Sequence, residues 1–260
     1  MKSKDIYDII IETLTKEWYS IMIDNMISNP KWETPKYSKK QIDKAGRFIA
    51  DFLTQSSKNP VDFKNFNQAI DILNNWRSSH AYPLEVITNN LRRNNPNAIV
   101  VQRLKRLDSI MGKIERFPNM SLYRMQDLGG CRVIVESIDD VYKSVNKFKN
   151  SKVRHIFKKE DDYIQNPKKS GYRSYHMVYQ FQSDDNDTYN KNILIEIQFR
   201  TKLQHIWATA VEMMGIYTKS NLKSSMGNED ILRFFVLVSS LFAQQEGTSI
   251  CPNTTNDKKI

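Results

Sequence analysis

The stretch from Ile193 to Thr201 is the strongest local constraint on how this chain folds. Ile193, Ile195, Ile197 and Phe199 alternate with Glu196, Gln198 and Arg200, and a period of two marks a strand with one face buried. Thr201 then stands before Ile206, Trp207, Ala210, Met213 and Met214 at helical spacing. It reads as an N-cap at which the chain turns from strand into helix. A second alternating run precedes this one, with Tyr175, Met177, Tyr179 and Phe181 on one side and Ser174, His176 and Gln180 on the other. Polar residues at period two beside strands this apolar line either a pocket or a solvated face. Such strands among helices predict a mixed α/β protein, helices around a mixed sheet.

Helical periodicity dominates the first hundred residues. Ile6, Ile9, Ile10, Leu14, Trp18 and Ile21 predict a first amphipathic helix. Ser38 is the N-cap of a second, which carries Ile42, Ala45, Phe48, Ile49 and Phe52 inward. Phe63, Phe66, Ile70, Leu73 and Trp76 mark a third, and Pro83 opens a fourth with Leu84, Ile87 and Leu91 on its buried side. Residues 99–115 read as a helix, 131–135 as a buried strand, 138–148 as a helix and 153–157 as a strand. The polar run 158–171 reads as a loop. A last helix runs from about 229 to 243, before a polar tail expected to fray.

The chain has 260 residues, 40% hydrophobic and 26% charged, which is ordinary for a globular protein. Its net charge of +10 is not ordinary and points to an anionic partner: a nucleotide polyphosphate, RNA or an acidic protein. The two cysteines, Cys131 and Cys251, have no zinc or disulfide spacing. The N-terminus lacks a signal-type apolar region, and 234–243 is too short to cross a bilayer, so a cytoplasmic protein is expected. With four histidines spread over the chain and no nucleophile elbow, a metal-hydrolase cluster and Ser-His-Asp catalysis are both set aside.

Chemistry concentrates between Arg103 and Arg132. Arg103, Lys105 and Lys113 supply cations, Ser109 a hydroxyl, and Asp127 a carboxylate that opens a Gly129-Gly130 turn into an apolar strand. Ser109 and Lys113 are four apart and share a helix face. Cations, a hydroxyl and a carboxylate beside a closely approachable backbone are what a polyphosphate with Mg²⁺ requires. A solvated basic helix before an ordinary strand is the plainer alternative.

Five segments stand together in order: Arg-x-Lys-x-x-x-Ser-Ile-x-x-Lys at 103–113, Asp-Leu-Gly-Gly-Cys-Arg at 127–132, Asp-Tyr-Ile-x-x-Pro-Lys-x-x-Gly-Tyr-Arg-Ser-Tyr-His at 162–176, Glu-Ile-Gln-Phe-Arg-Thr at 196–201, and Trp-Ala at 207–208. The set resembles the synthetase domain of the RelA/SpoT family, enzymes that move a pyrophosphate group from ATP to a ribose 3′-hydroxyl and release AMP. The resemblance covers 75–220 and implies a nucleotidyltransferase-like sheet. It makes 1–74 an N-terminal helical region and 221–260 a C-terminal helix and tail. By the same resemblance Arg103, Lys105, Ser109, Lys113 and Arg132 bind ATP, Arg103 and Arg132 stacking on adenine, for which a planar guanidinium suits better than Lys. Asp127 is the implied Mg²⁺ ligand, and Glu196 helps hold the metal and activates the attacking hydroxyl. Tyr172 stacks the acceptor base, with Lys168, Arg173, His176, Gln198 and Arg200 around it. An unperturbed Glu near pKa ~4.3 is a weak base for a ribose hydroxyl, so the metal has to acidify that hydroxyl. Plainer roles stay open: Glu196 as a buried carboxylate paired with Arg200, Tyr172 as a turn aromatic, His176 as a core histidine. His205 and Trp207 read as helix-stabilising. Nothing before residue 75 resembles the His-Asp hydrolase domain of the family's long members, so the product is expected to be made and not removed.

The acceptor divides the readings. Housekeeping members follow Trp-Ala with Glu-His, whereas Met213 stands here where that histidine is expected. Together with the atypical Asn-Trp-Arg-Ser-Ser-His-Ala-Tyr-Pro-Leu at 75–84, this resembles the toxic small alarmone synthetases, the CapRel-like group, whose members are neutralised by antitoxins. Several pyrophosphorylate the 3′-terminal adenosine of the tRNA CCA end. The net charge favours tRNA, through backbone contacts by Arg92, Arg93, Lys152, Arg154, Lys158, Lys159, Lys168 and Lys169. A guanosine or adenosine nucleotide is the alternative acceptor. A degenerate domain that only binds nucleotide or RNA is disfavoured by the intact Asp127, Glu196 and Tyr172. Oligomeric state and the identity of any antitoxin stay open.

Overall fold

The structure is a computed structural model that describes residues 32–55, 63–183, 187–220, 222 and 225–254. The helix expected over 6–21 lies outside them. Among the described residues the elements run α1 (Lys39–Gln55), α2 (Phe63–Ser78), α3 (Ala81–Asn94), β1 (Ile99–Leu104), α4 (Leu107–Arg116), β2 (Gly129–Val135), α5 (Ile138–Asn150), β3 (Ile156–Asp162), β4 (Tyr175–Gln180), β5 (Leu194–Thr201), α6 (Lys202–Tyr217) and α7 (Glu229–Gln245). The strands form one five-stranded sheet in the order β1-β2-β5-β4-β3. The class is mixed α/β, as the alternating strands predicted.

Backbone contacts divide the chain into two compact units: residues up to 85, 103–129 and 181–195 in the first, and 86–102, 130–180 and 196–260 in the second. In the first, Ser38 caps α1 with a reciprocal capping box: its hydroxyl accepts from the Gln41 amide, and the Gln41 side chain accepts from the Ser38 amide at 2.9 Å. α1 and α2 pack through stacked Phe52 and Phe66, centroids 4.1 Å apart, over buried Ile42, Ile49, Ile70 and Leu73. The 75–84 segment is a structural hub. Asn75 bonds the Glu33 carboxylate, the Thr34 carbonyl and the Lys36 amide, and Trp76 stacks on Tyr123 at 5.0 Å.

His80 is fully buried, with Nδ1 2.7 Å from the Trp76 carbonyl and no partner for Nε2. Nδ1 therefore carries the proton of a neutral ring. Burial pushes its pKa down to about 4, and neighbouring Arg77 acts in the same direction against the hydrogen bond to Trp76. Unfolded, the ring takes a proton near pH 6.5; folded, it refuses one until about pH 4. Its contribution is thus complete above the higher value and lost across that window, by up to ~3 kcal/mol. In urea unfolding at stepped pH, His80→Gln is expected to flatten the decline in stability through this window relative to the parent. An equally steep decline in both proteins would assign the acid lability elsewhere.

The sheet corrects two expectations for residues 99–130. Residues 99–115 do not form one helix: 99–104 enter the sheet as β1, and the helix begins at Leu107. The Gly129-Gly130 pair is not a turn but the start of β2. A Cβ on Gly129 would lie 2.8 Å from Ile195 Cδ1 and 3.3 Å from His80 Cβ, so the glycine serves close packing.

In the second unit, β4 is buried along nearly its whole length and β3 is exposed at the sheet edge. Residues 158–162, expected in a loop, extend β3 instead, pairing antiparallel with β4 and with an irregularity between Phe157 and Lys159. Their charges are matched sideways: Lys159 pairs with Asp161 at 2.9 Å, Lys149 with Glu160, and the Tyr175 hydroxyl donates to Glu160 at 2.7 Å. A charged edge strand discourages pairing with other chains. Thr201 caps α6 through a capping box with Gln204, and the Trp207 indole donates to the Phe235 carbonyl of α7 at 2.7 Å. As far as residue 254 the tail beyond α7 is anchored, against expectation, and the rest of it lies outside the described residues: the Cys251 amide bonds the Ser240 hydroxyl at 3.0 Å, and Cys251 is buried.

Candidate active site

In the first unit, four of the seven expected ATP- and metal-binding residues lie at the end of β1 and along α4. Arg103 is exposed on β1, Lys105 follows the strand, and Ser109 and Lys113 lie one turn apart on α4. The cations therefore do not share one helix. Asp127 gathers the two lysines, Lys105 Nζ on Oδ2 and Lys113 Nζ on Oδ1, both at 2.9 Å. Burial works to raise the Asp127 pKa, but the two ammonium groups overcome it and hold the carboxyl below its ordinary value. The Lys105 peptide is gripped on both sides. Its amide donates to the Leu128 carbonyl at 2.8 Å, and its own carbonyl accepts from Arg77 Nε at 2.6 Å. Arg77 was not among the expected residues; only the fold places it beside Lys105.

Mg²⁺ bound alongside a nucleotide takes one or two carboxylates and completes its shell with phosphate oxygens and water. Asp127, held anionic and backed by two lysines, fits that pattern. Among the described residues no three His, Cys, Asp or Glu side chains come together as a closed protein cage.

The second unit brings together most of the residues expected to bind the acceptor, around β5 and β4. Glu196, Gln198 and Arg200 share a strand face, as the alternation required. Gln198 Nε2 donates to Glu196 Oε2 at 2.7 Å, and Arg200 donates to Gln198 Oε1 at 2.8 Å. His176 joins Glu196 to Tyr172: Nδ1 lies 3.1 Å from Glu196 Oε1, and Nε2 lies 2.7 Å from the Tyr172 hydroxyl. Arg200 also donates to that hydroxyl, with its guanidinium carbon 5.0 Å from the ring centroid. Lys168 Nζ sits 5.3 Å from the Tyr172 centroid and 4.3 Å from that of Tyr163. Arg132 reaches Gln198 Oε1 and His205 Nδ1, each at 3.4 Å. Burial, then Arg132 and Arg200, push the His205 pKa down, favouring a neutral ring.

One expected acceptor contact is corrected. Arg173 is 3% exposed and turned into the interior, donating to the Ser239 hydroxyl at 3.1 Å, the Ile164 carbonyl at 3.1 Å and Cys251 Sγ at 3.6 Å. A buried guanidinium needs such partners, and a polar loop sequence does not disclose them. Tyr163, which meets the His176 ring edge-on at 5.2 Å, was missed. It lies within the 162–176 segment, but no periodicity in a loop singles it out.

A nucleotidyltransferase-like fold is the class these elements define. Residues 102–222 match the family described as the region found in RelA / SpoT proteins. GTP pyrophosphokinase YjbM of Bacillus subtilis is 32% identical over 131 residues, 49% of this chain and 60% of that relative. The match thus spans less than two thirds of that relative's length. A GTP pyrophosphokinase family protein from Streptococcus pneumoniae has a similar structure, with a TM-score of 0.51 and 28% identity over 72% of this chain and 90% of the other. The fold is also that of small alarmone synthetase 1 from Bacillus subtilis, solved bound to its product pppGpp, with a TM-score of 0.55 and 24% identity over 65% and 89% of the two chains. Among the described residues no helix is long and apolar enough to cross a membrane.

Proposed function

We propose that this protein transfers the pyrophosphate group of ATP to the 3′-hydroxyl of a guanosine nucleotide, through residues 75–220. The observation that carries the reading is the Tyr172–His176–Glu196 chain, which ties a base-stacking aromatic to a carboxylate able to take a hydroxyl proton. Support comes from the matched region and from the relative named as a GTP pyrophosphokinase. The acceptor oxygen attacks the β-phosphorus, the bond from that phosphorus to the α,β-bridging oxygen breaks, AMP departs, and Glu196 receives the hydroxyl proton. Lys105, Lys113 and Arg103 offset the triphosphate charge, and Ser109 offers a hydroxyl to a phosphate oxygen. Asp127, the expected ligand in the first unit, would hold Mg²⁺, which would supply charge neutralisation and polarisation of phosphate oxygens.

Tyr172→Ala is expected to raise the acceptor KM by about tenfold to a hundredfold, as loss of base–aromatic stacking does, with the ATP KM little changed. Equal shifts in both KM values would remove Tyr172 from acceptor stacking.

A second reading keeps the same chemistry and takes the tRNA CCA end as acceptor, making the protein a translation-blocking toxin with a cognate antitoxin. The net charge of +10, with Lys152, Arg154 and Lys158 exposed before and on β3, favours it. Incubation with γ-³²P-ATP and, separately, GDP, GTP, AMP and bulk tRNA distinguishes the two. Label in GDP or GTP supports the nucleotide acceptor. Label in tRNA that disappears when the CCA end is removed supports the toxin, and no label in any acceptor rejects both.

A further inference from the structure

The C-terminal helix α7 meets the acceptor set at two places, and both flank the Tyr172–Arg200 pair. At the first, the Ser239 hydroxyl donates to the Gly171 carbonyl at 2.6 Å and accepts from Arg173 Nε at 3.1 Å. Gly171 and Arg173 are the residues on either side of Tyr172. Gly171 has φ +87°, and a Cβ there would lie 3.0 Å from both Ser239 Cβ and Trp207 Cζ2, so the loop is pressed against α6 and α7. At the second, the Glu246 carboxylate just past α7 accepts from the Thr201 hydroxyl and from Gln204 Nε2, the latter at 3.1 Å. Thr201 directly follows Arg200.

We propose that Ser239, Arg173 and Glu246 are positioning residues, and that α7 is a brace holding Tyr172 and Arg200 in the arrangement that receives the acceptor. Helix packing alone does not need them. Trp207, Val211, Leu222 and Phe235 already form an apolar core between α6 and α7, and a buried guanidinium adds little net stability over a well-packed apolar side chain. What a fully bonded polar network adds is direction and rigidity. Ser239 and Arg173 hold both peptide neighbours of the stacking ring, and Glu246 holds the strand end whose guanidinium covers that ring. A platform set beforehand spares the acceptor the cost of ordering it. The proposal rests on Tyr172 and Arg200 serving the acceptor, as argued above.

The test uses the full chain, with ATP and the acceptor that takes label varied independently, and hydrogen exchange followed over residues 163–174. Ser239→Ala is expected to speed amide exchange in that loop but not in α5, and to raise the acceptor KM by about tenfold, the scale of one lost hydrogen bond, with the ATP KM unmoved. Glu246→Ala, at a partly exposed position, is expected to raise the acceptor KM in the same way, and it carries the test alone should Ser239→Ala fail to fold. Glu246→Gln keeps an acceptor for the Thr201 hydroxyl and is expected to recover part of the loss. Unaltered loop exchange in a folded Ser239→Ala, or KM values for both substrates rising together in either variant, overturns the brace. Faster loop exchange with an unchanged acceptor KM overturns the acceptor role of Tyr172 itself, and the proposal with it.

Discussion

Glu196→Gln is expected to lower kcat by about a thousandfold, within the usual span for loss of a general base. The substitution keeps size and shape but removes the only part of Glu196 that can take the hydroxyl proton. Its surroundings respond in a specific way. Gln198 Nε2 donates to Glu196 Oε2, and an amide nitrogen at that position would face a donor with a donor. Either Gln198 turns over, withdrawing the Oε1 that accepts from Arg200 and Arg132, or the new amide turns toward His176. A modest rise in acceptor KM therefore accompanies the loss of turnover. AMP release, measured beside thermal unfolding, checks both parts. A kcat within a few-fold of the parent in a folded variant would take Glu196 out of the proton transfer.

Asp127→Asn has the second large effect. Lys105 and Lys113 each give Nζ to one Asp127 oxygen, and their side chains are 18% and 27% exposed. The neutral amide leaves two ammonium groups without their shared anion and presents a donor to one of them. A stability loss of ~1–2 kcal/mol is expected, the scale of charge-assisted hydrogen bonds partly screened by solvent. Activity is expected to fall much further, by about a thousandfold or more, because a metal bound there with the phosphates would lose its carboxylate. Excess Mg²⁺ should recover only part of it. Urea unfolding and AMP release at stepped Mg²⁺ concentrations separate the two effects. Full activity at ordinary Mg²⁺ would reject Asp127 as the ligand.

The features that proved legible were local ones. Ser38 and Thr201 were recognisable as N-caps because a cap bonds an amide three residues away. The shared face of Glu196, Gln198 and Arg200 was legible because the strand period is two, and their mutual hydrogen bonds follow from it. What was misread depends on distant partners. Ile99 to Leu104 has a pattern that helix and strand both tolerate, and its place at the sheet edge beside β2 decides it. The charged 158–162 run extends β3 because β4 offers it a pairing partner.

Sequence alone determined the mixed α/β class and the identity of the chemical groups, since residue type, spacing and order carry both. Tertiary structure alone decided which groups face the chemistry. Arg173, next to Tyr172, turns inward because Ser239 and Cys251 are waiting in the interior. Arg77, distant in sequence, grips the Lys105 carbonyl. The reason is physical: a buried polar group must find partners wherever the folded chain places them, and no local pattern records where that is.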